Sequence, residues 1–132
     1  VMEEEDSEVL SVSYLEIQDE RIIDGKDMNT SMGSNIVIGL LIDTKAVYGM
    51  DLKVKVDGDR LAQVPVTFLA NGQYRGTVTM NGTNGEWVTI ERELGPLFNP
   101  QNFIKMYFAQ SGIQIDSIRI YIKESFSHGN TF

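Results

Sequence analysis

Apolar and polar residues alternate with a period of two along most of this chain, and turn residues interrupt the alternation roughly every 8–12 residues. Tyr48, Met50 and Leu52 share one parity. Asp51 and Lys53 have the other. Because successive residues of a strand point to opposite faces of a sheet, this pattern predicts strands with one buried face. An apolar spacing of about 3.6 residues is nowhere sustained for three turns, so the pattern argues against a helical fold.

About eight segments carry this alternation, which predicts an all-β fold: an antiparallel two-sheet β-sandwich of the jelly-roll type. An immunoglobulin-like sandwich is the nearest alternative. Residues 24–35 are rich in Gly, Asp, Asn and Ser, and this composition predicts a long loop. The predicted strands cover residues 10–18, 36–43, 48–56, 63–68, 74–80, 87–94, 103–110 and 113–123.

The length of 132 residues suits one domain with a single core. We expect an acidic linker or tail over residues 1–8, the sandwich module over 9–125 and a C-terminal tail over 126–132. The chain has 19 acidic and 11 basic residues and a net charge of -8, which argues against binding to nucleic acid phosphates. No apolar run approaches the ~18 residues of a membrane span, so membrane insertion is not expected.

Catalytic chemistry has few candidate residues. The chain has no cysteine, and its one histidine, His128, lies in the predicted tail. Glu91 and Glu93 share one face of a predicted strand, and paired carboxylates are the requirement of a glycosidase. A solvent-facing strand accounts equally well for this pair, so the sequence predicts a binding protein rather than an enzyme.

The outward-facing residues of one sheet are the best candidates for a binding site. In a jelly roll, the second, fourth, fifth and seventh predicted strands share a sheet. Tyr107 has the parity opposite to Met106 and Phe108, which favours an exposed ring, whereas Tyr48 and Tyr74 have core-facing parity. Sugars stack on aromatic rings and bond to polar side chains. The predicted ligand-binding residues are Gln63, Thr67, Arg75, Thr77, Lys105 and Tyr107, with Trp87 on the other sheet or its edge.

Two segments, NGEWVTIERELG and NFIKMYFAQSGIQIDSIRIYIKE, resemble the closing strands of jelly-roll carbohydrate-binding modules such as those of families 4, 6, 22 and 35. The matching elements are a Gly-Xaa-Trp strand at 85–87, an amphipathic strand at 103–108, a turn at Gly112 and an apolar-Asp-Xaa-Ile ending at 115–118. The resemblance implies a non-catalytic module that binds a soluble plant-type polysaccharide or oligosaccharide. It also implies that the module is covalently linked to a glycoside hydrolase or to other domains. The parent protein is then expected to be secreted or on the surface of a bacterial cell.

Calcium is the one cofactor that this resemblance implies, joining the first and last strands with Glu16 and Asp116 as ligands. Carboxylates of this kind are the hard oxygen donors that calcium takes. The loop at 24–35 lacks the paired aromatics of the family's loop site, so the outward face of a sheet is the preferred place for the glycan.

A structural or protein-interaction domain of a bacterial surface or assembly protein is the alternative. It predicts an unpaired edge strand or an exposed apolar patch, for which Val37, Gly39 and Leu41 are the candidates. An enzyme is the third hypothesis and requires two carboxylates about 5–10 Å apart in a cleft.

Overall fold

The computed structural model of the chain describes residues 8–126, and within that range it contains nine β strands and no helix. No helix in this range is long and apolar enough to cross a lipid bilayer. Residues 1–7 and 127–132, with His128, lie outside the described part. The strands are β1 (Glu8–Ile17), β2 (Glu20–Asn29), β3 (Ser34–Ile42), β4 (Ala46–Val56), β5 (Gln63–Ala70), β6 (Gln73–Asn81), β7 (Val88–Leu97), β8 (Gln101–Phe108) and β9 (Ile113–Ser125).

The strands form two sheets, a five-stranded sheet in the order β1-β3-β8-β5-β6 and a four-stranded sheet in the order β2-β9-β4-β7. Strands β1 and β3 pair in parallel, and the other neighbours are antiparallel. The predicted two-sheet sandwich is therefore confirmed. The four strands predicted to share a sheet are β3, β5, β6 and β8, and they do share one, with β1 added at its edge.

The loop predicted over residues 24–35 is wrong for its first half, because that half belongs to β2. The register between β2 and β9 is interrupted between Asp24 and Met28. Lys26 and Asp27 have positive φ angles of 58° and 50° there, and the Lys26 amide donates to the Asp24 carboxylate at 2.8 Å. This bulge interrupts the period-two alternation of β2. The sequence of this paired edge strand therefore looks like that of a turn.

The core lies between the two sheets and contains the inward residues of both. Tyr48, Phe68 and Phe108 are among the largest side chains that are fully buried. Their burial removes a large apolar area from water at roughly 25 cal/mol per Å², which is the main favourable contribution to folding. The fully buried aliphatic residues include Ile36, Ile38, Leu40, Met50, Leu52, Val54, Val66, Ile104, Met106, Ile118 and Ile120.

Tyr48 is the one core side chain here with a titratable group whose pKa is clearly shifted. Its ring has 0% relative exposure, and its hydroxyl donates to the Thr44 carbonyl at 2.7 Å. Burial raises the pKa of Tyr48 to about 12, and the nearby Asp43 carboxylate adds to the shift. The folded protein therefore holds this proton more tightly than the unfolded chain does.

We predict that Tyr48→Phe lowers the free energy of unfolding by about 1 kcal/mol at pH 7, because the hydrogen bond to Thr44 is lost. Above about pH 10 the unfolded wild-type chain releases the Tyr48 proton and the folded protein keeps it. The wild-type advantage should fall by about 1.4 kcal/mol per pH unit and vanish near pH 11. Urea unfolding of both proteins from pH 7 to pH 11.5 measures this difference, and a gap independent of pH would contradict it.

Candidate functional site

A row of polar residues crosses the outward face of the five-stranded sheet. Tyr107 on β8 pairs with Asn35 on one side and Thr67 on the other, and Thr67 pairs in turn with Thr77. The hydroxyl oxygens of Thr67 and Thr77 are 3.1 Å apart, and the Tyr74 hydroxyl lies 3.0 Å from that of Thr77. Three hydroxyl groups and a tyrosine ring are therefore held side by side on the outward face, where Thr77 and Tyr74 are exposed and Thr67 and Tyr107 are half-buried.

Lys105 lies on the same face in the neighbouring row, where it pairs with Val37 and Leu69. Gln63, the first residue of β5, pairs with Asn81 two rows away on the other side, beyond Pro65. The structure thus brings five of the predicted ligand-binding residues to one surface, as the parity argument expected. Their contact with a ligand stays a prediction. The five residues are Gln63, Thr67, Thr77, Lys105 and Tyr107.

One exposed aromatic ring on this face, that of Phe103, was missed by the sequence argument. Phe103 is 49% exposed, and the centroid of its ring lies 5.0 Å from that of Tyr14 on β1. Gly39 pairs with Phe103, and a Cβ atom at Gly39 would lie 3.1 Å from the Tyr14 amide nitrogen. The parity of β8 already placed Phe103 outward beside Lys105 and Tyr107, so the information was present in the sequence.

Tyr74 was predicted to face the core, and that prediction is wrong. The register between β5 and β6 pairs Phe68 with Gly76 and then Leu69 with Tyr74, so Arg75 is an extra residue on β6. This bulge reverses the parity of the residues before it. Tyr74 consequently lies on the outward face and is 66% exposed.

The same bulge takes Arg75 off the face on which it was predicted. Its guanidinium group reaches the edge of the other sheet, where Nη1 donates to the Leu94 carbonyl at 2.6 Å and Nη2 to the Pro96 carbonyl at 3.1 Å. Both acceptors belong to β7. Arg75 therefore connects the two sheets at one edge of the sandwich instead of lying in the row of Tyr107.

Arg92 on β7 makes the reciprocal connection. Its Nη2 donates to the Arg75 carbonyl of β6, and its guanidinium carbon lies 5.8 Å from the centroid of the Phe68 ring. Gly76 has φ of 123°, and a Cβ atom there would overlap the Arg92 guanidinium. We call Arg75 and Arg92 the arginine pair. It joins the edge strands of the two sheets through backbone carbonyls.

Trp87 lies on the side of the four-stranded sheet. It is half-buried just before β7, and the ammonium nitrogen of Lys55 on β4 lies 4.8 Å from its ring centroid. The expected position on the other sheet or its edge is therefore found. Trp87 and Tyr107 do not belong to one surface.

The outward face of the four-stranded sheet is occupied by ion pairs. Arg119 donates to Glu20 at 2.6 Å and to Asp51 at 3.0 Å, and it lies over the ring of Tyr121. The hydrogen bond with Glu20 is the main cause that raises the pKa of Arg119. Burial, followed by the hydrogen bond to Asp51, raises the pKa of Tyr121.

Glu91 and Glu93, the carboxylate pair of the enzyme hypothesis, lie on this same charged face. They belong to β7 and pair with Asp51 and Gly49 of β4. Glu93 accepts a hydrogen bond from Lys123 at 3.0 Å. Both residues are exposed, and one of them is in an ion pair, which favours the interpretation as a solvent-facing strand.

Glu16 and Asp116, the predicted calcium ligands, belong to different sheets. Glu16 lies on β1 next to Leu41 of β3, towards the end of the sandwich where β1 finishes. Asp116 lies near the start of β9, 3.9 Å from the ammonium group of Lys53. Within residues 8–126 no three Asp, Glu, His or Cys side chains are grouped so that they could hold a metal. The described residues do not fit a calcium ion shared by these two carboxylates.

The apolar patch expected on β3 by the protein-interaction hypothesis is largely covered. Strand β1 pairs along β3, and Tyr14 lies against Gly39. Val37 and Leu41 are half-buried and Gly39 is buried. The feature that favoured a protein partner is therefore not an open surface.

Comparison with known proteins finds likeness in sequence to one enzyme and in fold to several modules. No protein-family model matches the chain. A β-glucosidase of Ruminococcus albus is 35% identical over 71 residues, which are 54% of this chain and 8% of the enzyme. The chain thus corresponds to a small part of that relative.

Solved structures of similar fold include carbohydrate-binding modules. A family 35 module from an environmental isolate has a TM-score of 0.62 at 22% identity, covering 74% of this chain and 72% of the module. A module of Cellvibrio mixtus lichenase 5A, solved with cellotriose, has a TM-score of 0.61 at 16% identity, covering 76% of this chain and 95% of the module. A Paenibacillus barengoltzii β-glucosidase matches 91% of this chain with 13% of its own length, at 18% identity and a TM-score of 0.61. The fold is that of jelly-roll carbohydrate-binding modules.

The arginine pair predicts unequal costs for two glycine substitutions in β6 and its preceding turn. Gly76 and Gly72 both have positive φ, but only the Cβ of Gly76 would meet Arg92, and nothing lies within 4 Å of a Cβ at Gly72. We expect Gly76→Ala to lower the free energy of unfolding by about 2 kcal/mol more than Gly72→Ala, since it displaces a charged hydrogen bond. Denaturant unfolding of both variants measures the difference, and equal losses would show that Arg92 is not held by β6.

Proposed function

We propose that this chain is a non-catalytic carbohydrate-binding module whose glycan lies on the outward face of the five-stranded sheet around Tyr107. The observation that carries the proposal is the row formed by Tyr107, Thr67 and Thr77, which combines an aromatic ring with hydroxyl groups on one exposed face. The likeness of the fold to carbohydrate-binding modules supports it.

The chemistry of this face suits a neutral sugar chain. A pyranose ring presents C–H groups on its faces and hydroxyl groups around its edge. Aromatic rings such as Tyr107 and Phe103 pack against the C–H groups, and the hydroxyls of Thr67 and Thr77 both donate and accept hydrogen bonds. Lys105 adds a donor. The overall charge of -8 disfavours an acidic polysaccharide through long-range repulsion.

The proposed ligand is a soluble plant-type polysaccharide, and the proposed role is to hold an attached secreted glycoside hydrolase on it. The sequence likeness to a segment of a β-glucosidase supports attachment to an enzyme. The cellotriose bound to the lichenase module makes a β-linked glucan the first ligand to test. Binding of this kind requires only a preformed surface that orders few side chains when the glycan arrives.

We predict that Tyr107→Ala reduces retention on soluble β-glucan at least about tenfold, because the stacking surface is removed. Affinity electrophoresis of the wild type against β-glucan, xylan, mannan and pectin gels identifies the retained class and measures the loss. Trp87→Ala is the matched aromatic control on the other sheet and should leave retention unchanged.

Two results would contradict this site. Loss of retention with Trp87→Ala but not with Tyr107→Ala would move the site to the four-stranded sheet. A folded wild-type protein retained on none of the gels would argue for the protein-interaction hypothesis instead.

The hydroxyl row gives a second, smaller prediction. Thr77→Val keeps the side-chain shape and removes the hydroxyl that lies between those of Thr67 and Tyr74. We expect glycan affinity to fall by a factor of about 3–10, which corresponds to one hydrogen bond. Thr89→Val on the outward face of the four-stranded sheet is the matched control. Equal affinities of the two variants in isothermal titration would exclude the hydroxyl row from the site.

A further inference from the structure

A cleft of about 290 Å³ lies beside the outward face, at the end of the sandwich where the β5–β6 and β7–β8 connections meet. Its walls combine one exposed aromatic ring with amide and guanidinium groups, and none of the described residues that line it is acidic. The lining residues are Asn71, Gln73, Arg75, Pro96, Leu97, Phe98 and Asn99.

Phe98 provides the aromatic surface of this cleft. It is 56% exposed, and its ring is stacked on that of Phe126, with centroids 5.7 Å apart and planes 12° from parallel. The stacking restrains the ring of Phe98 without covering it. An exposed aromatic ring that is already held in place loses little conformational entropy when a ligand packs against it.

The polar groups of the cleft are held by the fold as well. Asn102 is fully buried, accepts a hydrogen bond from the Asn71 side chain at 2.8 Å and donates to the Asn99 carbonyl at 2.7 Å. Arg75 is fixed by the Leu94 and Pro96 carbonyls, and two hydrogen bonds leave part of a five-donor guanidinium unused. The cleft therefore offers preformed donors beside a ring.

Asn71 links this cleft to the outward face. The backbone N–H of Asn71 donates to the Phe103 carbonyl at 2.8 Å, and its side-chain oxygen accepts a hydrogen bond from the backbone N–H of Phe103 at 2.8 Å. The ring of Phe103 lies on the outward face in the strand of Tyr107, roughly 13 Å away at about 3.3 Å per residue. Nothing lies within 4 Å of a Cβ at the adjacent Gly72, so the turn does not obstruct a chain that crosses it.

We propose that the Phe98 cleft is a second subsite for the same glycan, so that the ligand is a chain several sugar units long that crosses the turn at Asn71. This inference rests on the proposed function. It assigns to the protein a preference for the interior of a polysaccharide over a short fragment, because only a long chain reaches both Tyr107 and Phe98.

Titration calorimetry with cellotriose and cellohexaose tests the inference. Wild-type protein should bind cellohexaose at least about tenfold more tightly than cellotriose. Phe98→Ala should remove most of that difference and leave cellotriose binding unchanged, and Gln73→Ala should act in the same direction without removing an aromatic contact. Met32→Ala is the matched control, since Met32 is 72% exposed and lies at the opposite end of the sandwich, beside the start of β9.

The outcomes separate this inference from the proposed function. If Tyr107→Ala weakens both oligosaccharides while Phe98→Ala and Gln73→Ala change neither, the face binds glycan and the second subsite is refuted. An equal loss for both oligosaccharides in Phe98→Ala also refutes it, because the cleft would then be the primary site. If the wild type binds neither, the proposed function fails for β-glucan and the inference fails with it.

Discussion

The extra residue in β6 determines what one whole edge of this sandwich presents. Because Arg75 has no partner on β5, the residues on its two sides lie out of phase. Tyr74 and Thr77 therefore both reach the outward face although they are three positions apart, a spacing that puts residues on opposite faces of a regular strand. The bulge also aims Arg75 at the carbonyls of β7, and Gly76 makes room for Arg92 to return the contact. One local irregularity thus supplies the exposed phenol of the face, the connection between the sheets and a wall of the Phe98 cleft.

Alternation alone was enough to place every candidate that lies in regular strand. Tyr107, Thr67 and Lys105 are outward because Met106, Phe108 and Phe68 must be buried, and the core leaves no choice of register. Arg75 and Tyr74 were misplaced because a bulge interrupts the period-two alternation, and the sequence around Gly76 contains no pattern that predicts a bulge. The bulge in β2 hid that strand for the same reason. Irregular pairing depends on contacts between distant strands, which a single segment of sequence does not contain.

The two outward faces differ in how their polar groups are satisfied. On the four-stranded sheet, Arg119 is bound to carboxylates of both neighbouring strands, and Lys123 of β9 is bound to Glu93 of β7, two strands away. A ligand would have to displace those pairs. Each exposed ion pair contributes little stability, about 0–1 kcal/mol. Its charged groups nevertheless already have partners, so a ligand that displaces the pair only replaces an existing interaction. The row of Tyr107 instead contains hydroxyl groups, which accept and donate and remain able to exchange partners with a sugar. This difference favours the five-stranded sheet as the binding face.

Support for the exposed rings comes from different ends of the chain. Tyr14 on β1 lies against Phe103, and a Cβ atom at Gly39 would lie 3.1 Å from the Tyr14 amide nitrogen. Phe126, which follows β9, lies against Phe98. The rings of Phe103 and Phe98 are therefore each restrained by a ring from the first or the last described segment. A surface built in this way loses rigidity when either segment is displaced, although in the proposed binding mode neither Tyr14 nor Phe126 has to touch the glycan. The proposed binding face and the Phe98 cleft thus depend, through aromatic contacts, on the ordering of the first and last described segments.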